Sequence, residues 1–388
     1  MKAIVNANII LRESIIFDGV ILVDGDKIAD FDEKKKISIP DGTELIDAKG
    51  QYAAPGFIDI HTHAGGGIWF HEDPLRAAAH HLKHGTTSLL PALYFNLTLN
   101  EYLEAICKIK QASKEAYGKV IDGIYMEGPY LNPKFGAEAN NNKWANSIER
   151  DKYMAIIKEA GSFASIWCIA PEREGIEGFV QDVKKENPSS ILSVAHSEAS
   201  PYQVEKYIPL GLKLATHHTN ATGDLSKYPE CRGVCVDEAV NYNDEIFAEL
   251  ICDSKGIHVD PYMLRLVRKI KGRDKIILVS DCCVFDGPIP PGYDGVTDLN
   301  FDFEGQIAGS KLTLDVACRN MMKHTGAGLC DVFHYASYNP SRLLGRQDIG
   351  SIRKGGKANI VIVDHLVNVQ DVILEGELVK LKQNTQTN

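Results

Sequence analysis

No stretch of the 388-residue chain is apolar for the roughly 20 consecutive residues that a membrane-spanning helix requires. The N-terminal MKAIVNANIILRES alternates apolar with polar residues and has no charged segment leading into a long apolar core, so it reads as a strand and not as a secretory signal. Basic residues are in deficit: 42 Lys and Arg against 52 Asp and Glu give a formal net charge of −10. A phosphate backbone calls for a clustered cationic surplus, so sequence-independent nucleic-acid binding is excluded as a function class. The nine cysteines lack the regular spacing of a disulfide framework, and several lie in apolar runs such as SIWCIAPE and FAELICDS. This usage fits a reducing compartment and predicts a cytoplasmic protein with no membrane partner. Short-period repeats and low-complexity tracts are also missing, and 44% hydrophobic with 24% charged residues is a globular composition.

What is present has the length for one large domain and a small satellite. The first fifty residues read as short strands, KAIVNANII, SIIFDGVILVDGDKIADF with Asp24-Gly25 as a hairpin signal, and TELIDAKGQYAAPG. A similar pattern returns in KANIVIVDHLVNVQDVILEGELVKL, so residues 1–54 and 347–388 are expected to form one small discontinuous β-sandwich. Between them, the apolar runs GFIDIHTH, TSLLPAL, IDGIYMEG, SIWCIAPE, ILSVAHS, LKLATHHTN, FAELICDS and KIILVSDC alternate with helix-like stretches. Strands covered by helices on both faces show such near-continuous runs, which predicts an α/β fold with a (β/α)8 TIM-like barrel over 55–346. DPLRAAAHHLKHG and SPYQVEKYIPLG have the length and patterning of crossover helices.

The ionisable residues fall where such a barrel carries its chemistry. His61, His63, Glu127, His196, His217 and Asp281 all lie at or just after the C-terminal end of a predicted strand, the active-site rim of the fold. His61 and His63, at i and i+2, leave a strand on one face and can share a metal. Glu127 precedes Gly128-Pro129, which end its strand; His196 and His217 complete an imidazole and carboxylate set of the kind that binds zinc with a position open for water. An isolated Asp281 in IILVSDC is costly unless it faces a metal or a reacting proton, so it is the candidate general acid/base. His258 in SKGIHVDP is either a substrate contact or a loop histidine. His218 should point away from His217, and the remaining histidines lie away from the strand ends and read as structural.

Taken in order, PGFIDIHTHAGGG, MEGPYLNPKFGA, APE, AHSEA, THHTNAT, SKGIHVDP and ILVSD resemble the N-acetylglucosamine-6-phosphate deacetylases of the amidohydrolase superfamily over nearly the whole chain. The acidic residue of the third run stands in an MEGP context, and the fourth run has no lysine to carboxylate, which both match that branch. The resemblance implies that Glu127, His196 and His217 hold one divalent metal, that His61 and His63 add a second with Glu127 bridging, and that Asp281 moves protons. It also implies zinc first, with iron or another divalent ion as alternatives, a homodimer, and an acetylated amino sugar as the small-molecule substrate. Asn220 and Ala221 would line the sugar site, and His258 would contact the acetamide region. The chain departs from the family where THLFNAM-like segments become THHTNAT and where Glu138 takes the place of a His or neutral polar residue. It departs again where a phosphate-binding Arg from a neighbouring subunit is replaced by Lys227, with Arg232 nearby; a lysine is a point charge and not a bidentate fork. Two rival readings follow, a superfamily hydrolase or deaminase for another amide or amidine, and a catalytically silent paralogue.

Overall fold

The structure, a computed structural model, describes residues 1–223 and 229–380. Five strands come first: β1 (Lys2–Ile10), β2 (Ile15–Asp24), β3 (Lys27–Glu33), β4 (Glu44–Asp47) and β5 (Tyr52–Pro55). The β2–β3 hairpin has Gly25 and Asp26 as its loop, between the paired Asp24 and Lys27. Gly25 has φ of 57°, a conformation that costs glycine nothing. Gly56 alone separates β5 from the barrel, and a side chain there would collide with Thr87, whose Oγ1 lies 2.2 Å from where a Cβ would stand.

The barrel begins with β6 (Phe57–Thr62), followed by a short antiparallel pair, β7 (Ala64–Gly65) and β8 (Ile68–Trp69). Seven further parallel strands continue it: β9 (Thr86–Tyr94), β10 (Ile124–Glu127), β11 (Ala164–Ile169), β12 (Ile191–Val194), β13 (Leu212–Ala215), β14 (Phe247–Ile251) and β15 (Ile276–Val279), neighbours in that order. These are the eight apolar runs of the sequence. A helix crosses over after each, from α1 (Pro74–Lys83), α2 (Leu99–Ala112), α3 (Arg150–Ala160) and α4 (Ile176–Glu186) to α5 (Pro201–Glu205), α6 (Val236–Tyr242), α7 (Pro261–Lys271) and α8 (Leu314–Thr325). Local chemistry starts them. Asp73 caps α1 ahead of Pro74, and Thr98 with Glu101 forms a capping box on α2.

The seam between β6 and β15 is closed at its upper end. Asp281 donates its N–H to the His61 carbonyl at 2.9 Å, and His63 donates to the Cys282 carbonyl at 2.9 Å. Beyond β15 an antiparallel hairpin, β16 (Leu299–Phe301) and β17 (Ile307–Ser310), leans over the same end through backbone bonds of Ser310 with Asp281 and Cys283. The chain then returns to the first sheet as β18 (Ile360–Val363), β19 (Val369–Leu374) and β20 (Glu377–Leu378), with β18 antiparallel to β5. The small sheet therefore has eight strands drawn from both ends of the chain, with β1 touching β2, β4 and β5. Among the described residues no helix is long and apolar enough to cross a membrane.

The barrel's core is continuous with the helix layer. Phe57, fully buried at the start of β6, stacks on Phe333 with ring centroids 5.1 Å apart. Phe57→Ala should destabilise the protein by about 3–5 kcal/mol through lost burial and an unfilled cavity; an unchanged urea midpoint would show that the contact contributes nothing.

Candidate metal centre

The backbone delivers the six strand-end residues to one place. Glu127 is the last residue of β10, His61 lies within β6, and His63 follows it; His196, His217 and Asp281 each stand two residues beyond β12, β13 and β15. All six are buried. His196, His217 and Asp281 have φ of 42°, 31° and 46°, in the left-handed region that side chains other than glycine rarely adopt. Each costs on the order of 1–3 kcal/mol and persists only where neighbours fix it. His196 is held by Asn132, whose N–H donates to its carbonyl at 3.1 Å, and Asp281 is held by the seam bonds.

The side chains form two groups, Glu127 with His196 and His217, and His61 with His63 and Asp281; within each group the ligand atoms lie within 4.8 Å of one another. Glu127 stands between them. Its Oε1 is 2.9 Å from His196 Nε2 and 3.2 Å from His217 Nε2, while Oε2 is 3.0 Å from His63 Nε2 and 3.8 Å from His61 Nε2. Asp281 Oδ1 lies 3.4 Å from His63 Nε2 and 3.7 Å from His61 Nε2. Burial pulls the Glu127 carboxyl up, but hydrogen bonds from His196, His217, His61 and His63 outweigh it and hold the group well below the usual carboxylate range.

A divalent cation fits this arrangement on two observations. The Nε2 atoms of His196 and His217 are 3.1 Å apart and those of His61 and His63 3.3 Å apart, so imidazole nitrogens face each other around shared points. Among the described residues, no lysine or arginine pairs with Asp59, Glu127, Glu249 or Asp281, although buried carboxylates need compensating charge. Imidazole and carboxylate donors suit zinc, iron or similar ions.

Two members of this cluster are not singled out by the sequence reading. Glu249, in the middle of β14, accepts from His61 Nδ1 at 3.1 Å. Asp59, two residues before His61, is 3.3 Å from the N–H groups of His61 and Ser280, and burial pushes its carboxyl up to about 7. The signal for both is a carboxylate inside an apolar strand, the same one that selects Asp281.

The cluster opens on a cavity of about 340 Å³ lined by His63, Glu127, His196, His217 and Asp281. Trp69, Tyr94, Phe95, Phe135 and Phe285 form an aromatic wall, and Trp69 stacks on Tyr94 at 5.6 Å. Asn220, Ala221 and His258 are also on the wall; Asn220 Nδ2 donates to the His258 carbonyl at 2.7 Å, and the His258 N–H donates to Asp253 at 2.9 Å. His218 turns the other way, to Asn241 and Asp237. Lys134 is the one lysine or arginine on the wall among the described residues, and it pairs with Glu198 at 2.7 Å.

Arg232, Glu138 and Thr222 are not on the cavity wall. Arg232 is exposed and donates to Glu238 Oε1 at 2.8 Å, because Glu238 turns back to bond the Cys235 N–H at the start of α6 and offers its other oxygen to Arg232. Lys227 lies outside the described residues. Glu138 accepts from Asn141 Nδ2 instead of facing the cavity, and Thr222 donates to Asp237 at 3.2 Å.

Residues 52–379 match the family model described as Amidohydrolase family. The chain is 26% identical over 354 residues to an N-acetylgalactosamine-6-phosphate deacetylase of Escherichia coli O157:H7, covering 87% of this chain and 90% of that protein. It is 27% identical over 390 residues to an N-acetylglucosamine-6-phosphate deacetylase of Bacillus subtilis, covering 95% of each. A crystal structure of N-acetylglucosamine-6-phosphate deacetylase from Pasteurella multocida superposes with a TM-score of 0.83 at 25% identity, over 97% of this chain and 99% of that one.

Because Glu127 faces both groups, Glu127→Ala should strip most divalent metal from the purified protein, as read by elemental analysis. Full metal content in that variant would place the ions elsewhere.

Proposed function

The chain belongs to the amidohydrolase family, and from that premise we propose that it removes the acetyl group from a 6-phosphorylated N-acetylhexosamine. It is a hydrolytic enzyme with two groups of residues able to hold divalent metal. The observation that carries the substrate reading is the run of relatives named for this reaction on both hexosamine epimers, each aligned over most of its length. Zinc as the ion, a homodimer and a cytoplasmic location belong to the same proposal. They rest on the donor set, on the resemblance and on the nine unpaired cysteines.

A bound divalent ion supplies Lewis acidity, polarising the amide carbonyl and lowering the pKa of a coordinated water. The chain's own residues do the rest. Asp281, on the cavity wall beside His63, takes the proton of the attacking water at its carboxylate as the carbon–oxygen bond forms. It then returns that proton to the amide nitrogen as the carbon–nitrogen bond breaks, since an amine is a poor leaving group as an anion. Acetate and the free amino sugar result. His258, anchored through its backbone to Asp253 and Asn220, presents its imidazole to a substrate oxygen. The aromatic wall offers the sugar an apolar face and excludes water from the acyl carbon.

A second reading, hydrolysis of an unphosphorylated N-acyl compound, is favoured by the scarcity of unpaired cations among the described residues: Lys134 is partnered by Glu198, and Arg232 by Glu238. Under the first reading, kcat/KM for an N-acetylhexosamine 6-phosphate should exceed that for the plain sugar by about 30-fold or more, the equivalent of about 2 kcal/mol for a phosphate contact. Equal values would favour the second. Under either reading, Asp281→Asn should keep the metal held by Glu127, His196 and His217 while kcat falls by roughly 10²–10⁴-fold; turnover near the parent rate would remove Asp281 from the proton-transfer role.

A further inference from the structure

Strand β14 supplies no member of either ligand group, yet it places Glu249 at the centre of both. Glu249 is fully buried. Its Oε2 accepts from His61 Nδ1 at 3.1 Å and from the backbone N–H of His217 at 3.1 Å. His61 belongs to one group and His217 to the other, so a single oxygen ties them together.

The four imidazoles of the centre are not equivalent. Among the described residues, the Nδ1 atoms of His63, His196 and His217 have no hydrogen-bond partner, whereas His61 has Glu249. An imidazole that donates from Nδ1 carries its proton there and presents a lone pair at Nε2, the atom that faces His63, Glu127 and Asp281. The second bond acts on backbone. His217 sits at φ of 31°, and its N–H is directed at the same oxygen, which helps hold its ring toward Glu127 and His196.

We infer that Glu249 is the positioning residue shared by the two metal-ligand groups, fixing the tautomer of His61 and the backbone of His217; the inference rests on the metal reading of the site. The test is a Zn²⁺ titration of the chelator-stripped protein against a chromophoric competitor, with melting temperatures recorded in parallel. Glu249→Leu, close in size but with no acceptor, should bind Zn²⁺ roughly 10–100-fold more weakly than the parent, and Glu249→Gln, which keeps an acceptor oxygen, should recover part of that loss. Parent-like affinity in Glu249→Leu, with or without a lower melting temperature, overturns the inference and leaves the metal reading standing. Failure of the parent to bind Zn²⁺ overturns the metal reading itself. If Glu249→Leu does not fold, the parent decides: with ¹⁵N-labelled histidine and Zn²⁺ bound, the His61 signals should show a protonated Nδ1, and an unprotonated Nδ1 overturns the assignment.

Discussion

Four carboxylates, Asp59, Glu127, Glu249 and Asp281, are buried at one end of the barrel among imidazoles and, within the described residues, without a lysine or arginine partner. Burying one carboxylate without compensation costs several kcal/mol, and four in one place are unfavourable unless positive charge is brought to them. Much of the surrounding architecture follows from that constraint. Three strand exits turn through left-handed backbone to aim their side chains inward, held by bonds to Asn132 at His196, to Glu249 at His217 and to His61 at Asp281. The barrel's own closure is drawn into the same cluster, because Asp281 and His61 are joined through their backbones as well as facing each other through their side chains. Stability and chemistry are therefore not separable at this end of the molecule.

The barrel was legible because strands covered on both faces betray themselves as unbroken apolar runs. All eight are where those runs lie, and the segments DPLRAAAHHLKHG and SPYQVEKYIPLG contain α1 and α5. That both chain ends build one small β unit was legible from alternation and turn residues, though the expected sandwich is a single eight-stranded sheet. The β16–β17 hairpin was not: its strands are three and four residues long and follow the Gly- and Pro-rich stretch DGPIPPGYDG, which carries no period. Glu249 and Asp59 were hidden for the opposite reason, each lying inside a run that identified a strand, so that the strand was read and its one charged residue passed over.

The position of Arg232 shows a different limit. Proximity to Lys227 in sequence made it a candidate for an anionic substrate group bound across a subunit boundary; within the chain its guanidinium donates to Glu238, six residues on, which also accepts from the Cys235 N–H. The aromatic wall was equally invisible, because Trp69, Tyr94, Phe95, Phe135 and Phe285 come from four separate segments of the chain and share no spacing.

The pairing of β5 with β18 has a consequence for synthesis. Residues 52–55 leave the ribosome about 300 residues before their partner at 360–363, and at 5–20 residues per second that interval is on the order of 15–60 seconds. Throughout it β5 is a bare edge, able to template pairing with another nascent chain. Its sequence, Tyr-Ala-Ala-Pro, is short and ends in a residue with no N–H to offer. A strand that must wait so long for its neighbour is well served by being a poor host to strangers.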